Sequence, residues 1–527
     1  MRHFNTAGPC INGQHYMLPP ERRLPQVERY IARGSVLVVH APRQTGKTTT
    51  MKALARRLTA EGRYAALYFS CEAARALGDD VGATERALWA SIAEAARHSL
   101  PAPLQPPAVR AADVGAFLRA QLVAWADACP RPLVLIFDEI DALQGPALHN
   151  TLSQLRDGYN TRDTRPFPHA VILCGLRDVR DYRAAAGADP DRMGTSSPFN
   201  IKMASWRLGD FTEAELAELY SQHTADTGQV FTPEALARAW DLTRGQPWLT
   251  NALAWQIVEE MAIPVAEAIT ASHVDQAKER LIQARQTHLD SLLARLQEDR
   301  VRRVIEPILT GGLLRGSSLD DDFQYVVDLG LVEPGQPPQI ANAIYREVIL
   351  RVLASPVELN LSVKPRSHVT PDGKLDIPGL LAGFLAFWKQ HGETLAQGLG
   401  YREAASQLVL MAWLHRVVNS GGAIEREVGV GRGRVDLLIV WPWTDPQGRP
   451  QQQREALEIK VWRDTDRRGD PTPAGLQQLD GYLQRLGLDH GALVVFDDRS
   501  QAPPVWERSA MEDVSSPSGR HILLLRA

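Results

Sequence analysis

A chain of 527 residues exceeds what one hydrophobic core supports, and ordinary domain sizes point to about three or four folding units. Hydrophobic residues at 44% and charged residues at 23% exclude a chain disordered throughout, and a formal net charge of -4 excludes a globally basic coat for nucleic acid. Any contact with nucleic acid must come from a local basic patch.

The four cysteines, Cys10, Cys71, Cys129 and Cys174, are scattered without metal-ligand spacing and read as reduced thiols. No apolar run is long enough to span a membrane, and the start Met1-Arg-His-Phe-Asn lacks the apolar core of a signal peptide, so a cytoplasmic protein with no membrane partner is expected.

In chain order, residues 4–20 are rich in turn formers and precede an amphipathic piece from Leu24 to Ile31. The apolar run Val36 to Val39 then feeds the turn Ala41-Pro42-Arg43-Gln44-Thr45-Gly46-Lys47-Thr48-Thr49. This composition reads as a phosphate-binding loop, in which backbone N–H groups cradle phosphates, Lys47 reaches the β- and γ-phosphates, and the Thr48 hydroxyl binds Mg²⁺. A helix beginning there adds its positive dipole end. Residues 41–49 are therefore the expected ATP-binding set. Ala41 stands where the usual pattern has glycine, which disfavours positive φ. Residues 4–20 could pack beside the nucleotide base or serve only as an arm tied to the domain surface.

Tyr64 to Ser70 reads as a buried strand, Ala83 to His98 as a helix and Pro101 to Pro107 as a loop. Leu133 to Phe137 is the continuous apolar run of a parallel strand, and it ends in Asp138, Glu139 and Asp141. Asp138 at that tip would bind Mg²⁺ through water, and Glu139 would polarise the water attacking the γ-phosphate. A further strand, His169 to Gly175, precedes Arg177 and Asp178, a place for a phosphate sensor or for a plain surface arginine. The capping box Thr212-x-x-Glu215, the start Thr232-Pro233-Glu234 and the turn Gly245-Gln-Pro247 mark a helical subdomain.

Together, Ala41 to Thr48, the Asp138-Glu139 pair and Gly245-Gln-Pro-Trp-Leu249 resemble the bacterial AAA-type ATPases of the STAND-related group, over roughly residues 4–355. The resemblance implies a P-loop αβα ATPase core at 1–210, a helical lid at 211–275 whose Gly-x-Pro turn touches nucleotide, and a winged-helix-like module at 276–355. The last is carried by Asp322 to Glu333 and Ile344 to Leu350, with no basic recognition helix. Asp138-Glu-Ile-Asp141 also matches the box of two-lobed helicases, but no second motor lobe follows.

From Ser355 to Pro378 the chain turns polar and is broken by Pro365, Pro371, Gly373 and Pro378, which reads as a linker, placed at 356–385. Helices are expected around Leu380 to Gln390 and Arg402 to Val418. Strands follow at Ala423 to Gly429, Gly433 to Val440 and Gln453 to Trp462. In the third strand Leu457, Ile459 and Val461 share one face, so Glu458 and Lys460 share the other. If the second and third strands pair, Asp436 sits across from Glu458. Two carboxylates and a backbone carbonyl then suit Mg²⁺ or Mn²⁺, with Lys460 orienting or deprotonating water.

A helix bearing Glu403, the strand pair with Asp436, the Glu458-x-Lys460 strand, a helix at 475–486 with Gln478-x-x-x-Tyr482, and a strand from Gly491 to Phe496 resemble the PD-(D/E)XK nuclease superfamily. This covers 386–527. By resemblance, Asp436, Glu458, Lys460, Gln478, Tyr482 and Glu403 are catalytic, and Asp436 and Glu458 bind metal. Val435 stands where the superfamily has proline, and Glu425 or Glu427 could replace Glu403. Arg432, Arg434, Arg463, Arg467 and Arg468 could hold a phosphate backbone or form a solvated loop.

The expectation is a multidomain α/β protein in which ATP and Mg²⁺ at the first site regulate a metal-dependent nuclease acting on DNA rather than RNA. Two alternatives remain, a STAND-like ATP-dependent sensor or DNA-binding switch with a non-cleaving C-terminal domain, and an oligomeric motor with no assignable arginine finger. A homo-oligomer is compatible with all three.

Overall fold

The computed structural model describes residues 2–527 except 177–201, 285–293, 310–320, 334, 336–337, 361–367, 393–404, 419–421, 431–432, 465 and 467–468. Two units are distinguished, Met1–Ser291 with Gly316–Ile344, and Leu292–Arg315 with Tyr345–Ala527.

The first unit is organised on five parallel strands: β1 Val36–His40, β2 Ala65–Ser70, β3 Leu133–Asp138, β4 Ala170–Gly175 and β5 Lys202–Arg207. Their spatial order is β2-β3-β4-β1-β5. Strands β3 and β4 are buried along their whole length, which is why they read as unbroken apolar runs instead of alternating ones. Helix α1, Lys47–Ala60, lays Met51, Leu54 and Leu58 against Leu37, Val39 and Ile136 on one face. Helices α2 Val81–Ser99, α3 Phe117–Ala128 and α4 Gly145–Asn160 cover the other face, with Trp89, Ile92, Trp125 and Leu152 packed on Val38, Leu67 and Leu135. Because all five strands run the same way, their carboxyl ends share one edge of the sheet. Ligand-binding loops of such sheets gather there.

Four helices follow, α5 Glu213–Thr227, α6 Pro233–Thr243, α7 Pro247–Trp255 and α8 Ala271–Gln283. The Thr212/Glu215 capping box is formed, with Glu215 N–H donating to Thr212 Oγ1 at 3.2 Å and Thr212 N–H to Glu215 Oε2 at 2.8 Å. Gly245 has φ +74°, and a Cβ there would lie 2.0 Å from the Phe211 carbonyl oxygen. Only glycine lets the turn before α7 approach that closely.

The stretch 276–355 contains α9 Asp299–Leu309, α10 Asp321–Asp328, a hairpin of β6 Val332–Glu333 and β7 Gln339–Ile340, and α11 Ala343–Asn360. It is divided between the units: α10 and the hairpin belong to the first, α9 and most of α11 to the second. Arg207 at the end of β5 donates to the Val327 carbonyl of α10 at 2.8 Å. Gly330 lies so near the turn after β1 that a Cβ would come within 2.6 Å of Pro42.

Within 356–385, the stretch expected as a linker, the described residues include ordered elements. Helix α11 runs into it, and it holds a tight turn at Thr370–Lys374 and most of α12, Ile377–Phe387. Asp376 caps α12 by accepting from Gly379 N–H at 3.0 Å, and Gln453 pins Leu375 by two hydrogen bonds of 2.8 and 2.9 Å. Pro371 and Gly373 lie in the turn, and Pro378 in the first turn of α12 after the Asp376 cap, so these residues serve as turn and cap chemistry.

The second unit carries a mixed six-stranded sheet in the order β12-β13-β11-β10-β9-β8. The strands are β8 Ala423–Val430, β9 Gly433–Thr444, β10 Pro450–Trp462, β11 His490–Asp497, β12 Ala510–Ser515 and β13 His521–Arg526. Strands β8 to β10 form an antiparallel meander, while β10, β11 and β13 run parallel. Helices α12 and α13 (Ala405–Val418) bury Phe384, Leu410 and Leu414 against Leu437, Leu457 and Phe496 on one face. On the other face, α14, Thr472–Leu486, packs Leu479 and Leu483 on Ala456 and Leu493. All four cysteines are free, and among the described residues no helix is long and apolar enough to cross a membrane.

Candidate functional site

Strand β1 ends at His40, and the chain turns sharply before Lys47 opens α1. Gln44 (φ +59°) and Gly46 (φ +85°) take left-handed backbone, whereas Ala41 does not. Ala41 instead buries its methyl group with Leu37 and Met51. The departure from the glycine pattern is therefore without conformational cost, and the methyl group contributes to the core.

The turn and the start of α1 line a cavity of about 280 Å³, where the unsatisfied N–H groups of a helix N-terminus favour an anion. Of the expected set, Gln44, Gly46, Lys47, Thr48 and Thr49 line it. Ala41 and Thr45 are buried behind the loop, and Arg43 is exposed and outside the lining, as Pro42 is. Lys47 Nζ donates to the Ala41 and Pro42 carbonyls, each at 2.7 Å. Burial lowers its pKa, opposed by the nearby Cys174, Asp138 and Asp141.

Strand pairing sets Asp138 beside Ser70, at the carboxyl edge. Asp138 Oδ2 accepts from Thr48 Oγ1 at 2.7 Å and from the Tyr68 hydroxyl at 2.8 Å, and Oδ1 accepts from Glu139 N–H at 3.0 Å. Burial, then the adjacent Asp138, raises the Tyr68 pKa. Glu139 has left-handed backbone (φ +55°), and its Oε2 accepts from Ser70 Oγ at 2.6 Å. Arg177 and Asp178 lie outside the described residues.

Several further residues shape this cavity. Arg23 donates to the Thr45 and Gly209 carbonyls and lies 5.0 Å from the Phe211 ring centroid, bracing the loop from behind. The N-terminal arm and helix α7 supply the far walls through Asn5, Cys10, Trp248 and Asn251. Cys10 N–H donates to Thr49 Oγ1 at 3.0 Å, and Trp248 Nε1 donates to the Thr6 carbonyl at 2.9 Å. Arg2 pairs with Asp226 of α5 at 2.8 Å. The turn-rich composition of residues 4–20 and the resemblance carried by Gly245-Gln-Pro-Trp-Leu249 pointed to the arm and to Trp248, while Arg23 had no such signal.

In the second unit the β9–β10 register pairs Leu437 with Leu457, which puts Asp436 next to Glu458. Asp436 Oδ2 accepts from Ile459 N–H at 2.8 Å. Glu458 is fully buried, with Oε1 2.6 Å from Lys460 Nζ and Oε2 without a hydrogen-bond partner. Burial, reinforced by Asp436 and opposed by Lys460, pushes its pKa up to about 7. Lys460 Nζ also donates to Gln478 Oε1 at 3.0 Å, and Gln478 Nε2 donates to the Tyr482 hydroxyl at 2.8 Å. Four expected residues, Glu458, Lys460, Gln478 and Tyr482, thus form one hydrogen-bonded chain, with Asp436 beside it. Glu403, Arg432, Arg467 and Arg468 lie outside the described residues, as do the side chains of Glu425, Glu427 and Arg434. The backbone N–H of Arg463 donates to Asp466 Oδ2 at 2.8 Å, closing the turn after β10. Among the described residues, no three His, Cys, Asp or Glu side chains cluster as a ready metal cage. The donors at hand are two carboxylates, one with a buried unsatisfied oxygen, which fits a cation completed by backbone carbonyl and water.

A parallel sheet with a lysine-bearing turn at the mouth of β1 and paired carboxylates at the tip of β3 defines a P-loop nucleoside-triphosphatase domain. Residues 31–182 match the family model described as AAA domain, and the first unit carries an AAA-type P-loop ATPase domain. Among solved structures, the chain is similar to the Walker-type ATPase PABY2304 of Pyrococcus abyssi, at 13% identity over 66% of this chain and 99% of that one, TM-score 0.47. It is also similar to the Orc1 protein of Aeropyrum pernix in complex with DNA (16%, 65% and 95%, TM-score 0.35). The RuvB Holliday junction branch migration motor of Thermotoga maritima is a third (16%, 62% and 92%, TM-score 0.32). No curated protein matches the chain in sequence.

Proposed function

We propose that the nucleotide state of this AAA-type ATPase regulates a metal-dependent PD-(D/E)XK-type nuclease in the second unit, which cleaves phosphodiester bonds of DNA in the cytoplasm. The observation that carries the reading is the chain Glu458, Lys460, Gln478 and Tyr482 beside Asp436, with a buried Glu458 oxygen left unsatisfied. An unsatisfied buried carboxylate oxygen is costly unless a ligand completes it. Asp436 and Glu458 would hold Mg²⁺ or Mn²⁺, and such a cation supplies stabilisation of developing phosphate charge and a lowered pKa of bound water. Lys460 orients or deprotonates the water, and Gln478 and Tyr482 hold Lys460 in place.

At the first site ATP supplies the scissile phosphoanhydride. Lys47 would leave the Ala41 and Pro42 carbonyls for the phosphates, Thr48 and Asp138 would hold Mg²⁺, and Glu139 would leave Ser70 to orient the attacking water. Residues 276–355 are read as the winged-helix-like module, carried by Asp322 to Glu333 and Ile344 to Leu350. A second reading, an ATP-dependent switch whose C-terminal unit binds DNA without cutting, is favoured by the Lys460–Glu458 ion pair at 2.6 Å, which neutralises a carboxylate the cation needs.

Plasmid DNA with Mg²⁺ or Mn²⁺, with and without ATP, separates the two readings. Lys460→Ala is expected to abolish cutting and spare ATP turnover, whereas Lys47→Ala abolishes turnover. Intact protein that never nicks the plasmid supports the switch reading, and cutting that survives Lys460→Ala rejects this assignment of the site.

A further inference from the structure

The amino edge of the first unit's sheet, opposite the nucleotide cavity, carries a second concentration of charge. Arg33, Arg63 and Arg131 immediately precede β1, β2 and β3, and Arg162 and Arg165 lie in the turn before β4. Against these five arginines the same loops hold Glu61 and Asp163, and no lysine. Among the described residues none of the five makes an ion pair. This contrasts with Arg2, Arg57, Arg119, Arg238, Arg499 and others, each matched to a carboxylate.

What holds these guanidiniums is neutral. Arg131 donates to the Thr59 carbonyl at 3.3 Å and Arg162 to the Tyr159 carbonyl at 2.8 Å, near the ends of α1 and α4. Arg33, Arg63 and Arg162 lie over the rings of Tyr30, Tyr64 and Tyr159, at 5.9, 5.1 and 3.5 Å. Such contacts orient a guanidinium without neutralising it. Arg63 and Arg162 flank His169, where their charges add to burial in lowering its pKa. A cleft of about 620 Å³ opens here, lined by Arg33, Pro132, Tyr159, Arg162 and His169.

Strand order turns these positions into a line. Because the strands lie β2-β3-β4-β1, the sequence along the edge is Arg63, Arg131, Arg162 with Arg165, then Arg33. Three strand spacings put the ends about 14 Å apart. Phosphates of one DNA strand recur about every 3.4 Å of axis but wind around it, so a straight row of about 14 Å meets about two or three of them. Arginine's planar fork matches phosphate bidentately, which a compact ammonium does not. We propose that this edge binds the phosphate backbone of duplex DNA. It is a local basic patch of the kind that a chain of net charge -4 needs in order to contact nucleic acid; the choice of DNA rests on the proposed function, while the edge itself uses neither the ATPase nor the nuclease residues.

The test is fluorescence anisotropy of a labelled 25-bp duplex with the full chain, in EDTA and without nucleotide, between 50 and 200 mM NaCl. Each phosphate contact contributes about -0.9 to the slope of log K against log[salt]. The variant Arg63→Gln/Arg131→Gln/Arg162→Gln/Arg165→Gln is expected to flatten that slope by about 2 to 3 and to weaken binding at least about tenfold at 100 mM salt. If that variant misfolds by circular dichroism, Arg165→Gln alone decides. Its guanidinium makes no bond among the described residues, and its loss should flatten the slope by about 1. Wild-type affinity and slope in the folded quadruple variant, or in Arg165→Gln when only that variant folds, overturn the proposal. ATP turnover in the quadruple variant should equal that of the parent.

Discussion

Replacing Glu458 with glutamine probes the second site through its own electrostatics. The carboxyl is fully buried, one oxygen on Lys460 and the other unpartnered, with Asp436 alongside. Its pKa moves from 4.5 to about 7, a penalty on the ionised form of about 3 kcal/mol at 1.36 kcal/mol per unit. The pKa is raised in the folded state, so the native chain binds the proton more tightly than the unfolded chain. The penalty is absent below about pH 4.5, grows as pH rises through the window up to about 7, and is constant above it. Glutamine keeps the shape without the charge, and Lys460, whose side chain is 23% exposed, can rehydrate. In EDTA at pH 8, Glu458→Gln should therefore stabilise the second unit by up to about 3 kcal/mol, and the gain should vanish near pH 4.5. Urea pulse proteolysis, read from fragments of residues 377–527, measures this. A variant less stable than the parent at pH 8, or a gain that does not change between pH 4.5 and 8, refutes the reasoning. Adding Mg²⁺ should stabilise the parent and not the variant, because only the parent has a buried anion to satisfy.

Two further predictions concern the nucleotide site. Gly245→Ala places a methyl group against the Phe211 backbone at a left-handed position, at about 1–2 kcal/mol for the conformation alone. The turn carrying Trp248 must shift, and titration with fluorescent ATP should show affinity reduced at least tenfold; parental affinity would count against the lid's role. Ala41→Gly removes a buried methyl at a position that does not need positive φ, so urea unfolding should show a loss of about 1 kcal/mol. Raised ATP turnover in that variant would mean that the glycine of the usual pattern was missed after all.

Helix starts and strand runs were legible because they depend on neighbours in the chain. Thr212 with Glu215, Thr232 before Pro233 and the runs 133–138 and 170–175 signal their elements through caps and periodicity. Strands β5, β12 and β13 were not anticipated. Strand β13 lies inside the sheet between β11 and β12, a partnership that nothing local to His521–Arg526 announces.

The same division runs through the sites. By itself the sequence determined the chemistry on offer: a lysine after a glycine at a helix start, carboxylates at a strand tip, and Glu458 and Lys460 on one face because side chains alternate every two residues. Tertiary structure alone decided who meets whom. Register brought Asp436 beside Glu458 and α14 laid Gln478 against Lys460, while strand order collected arginines from four separate loops along one edge. Burial then tuned Glu458, since the cost of an ionised group depends on what surrounds it and not on its place in the chain.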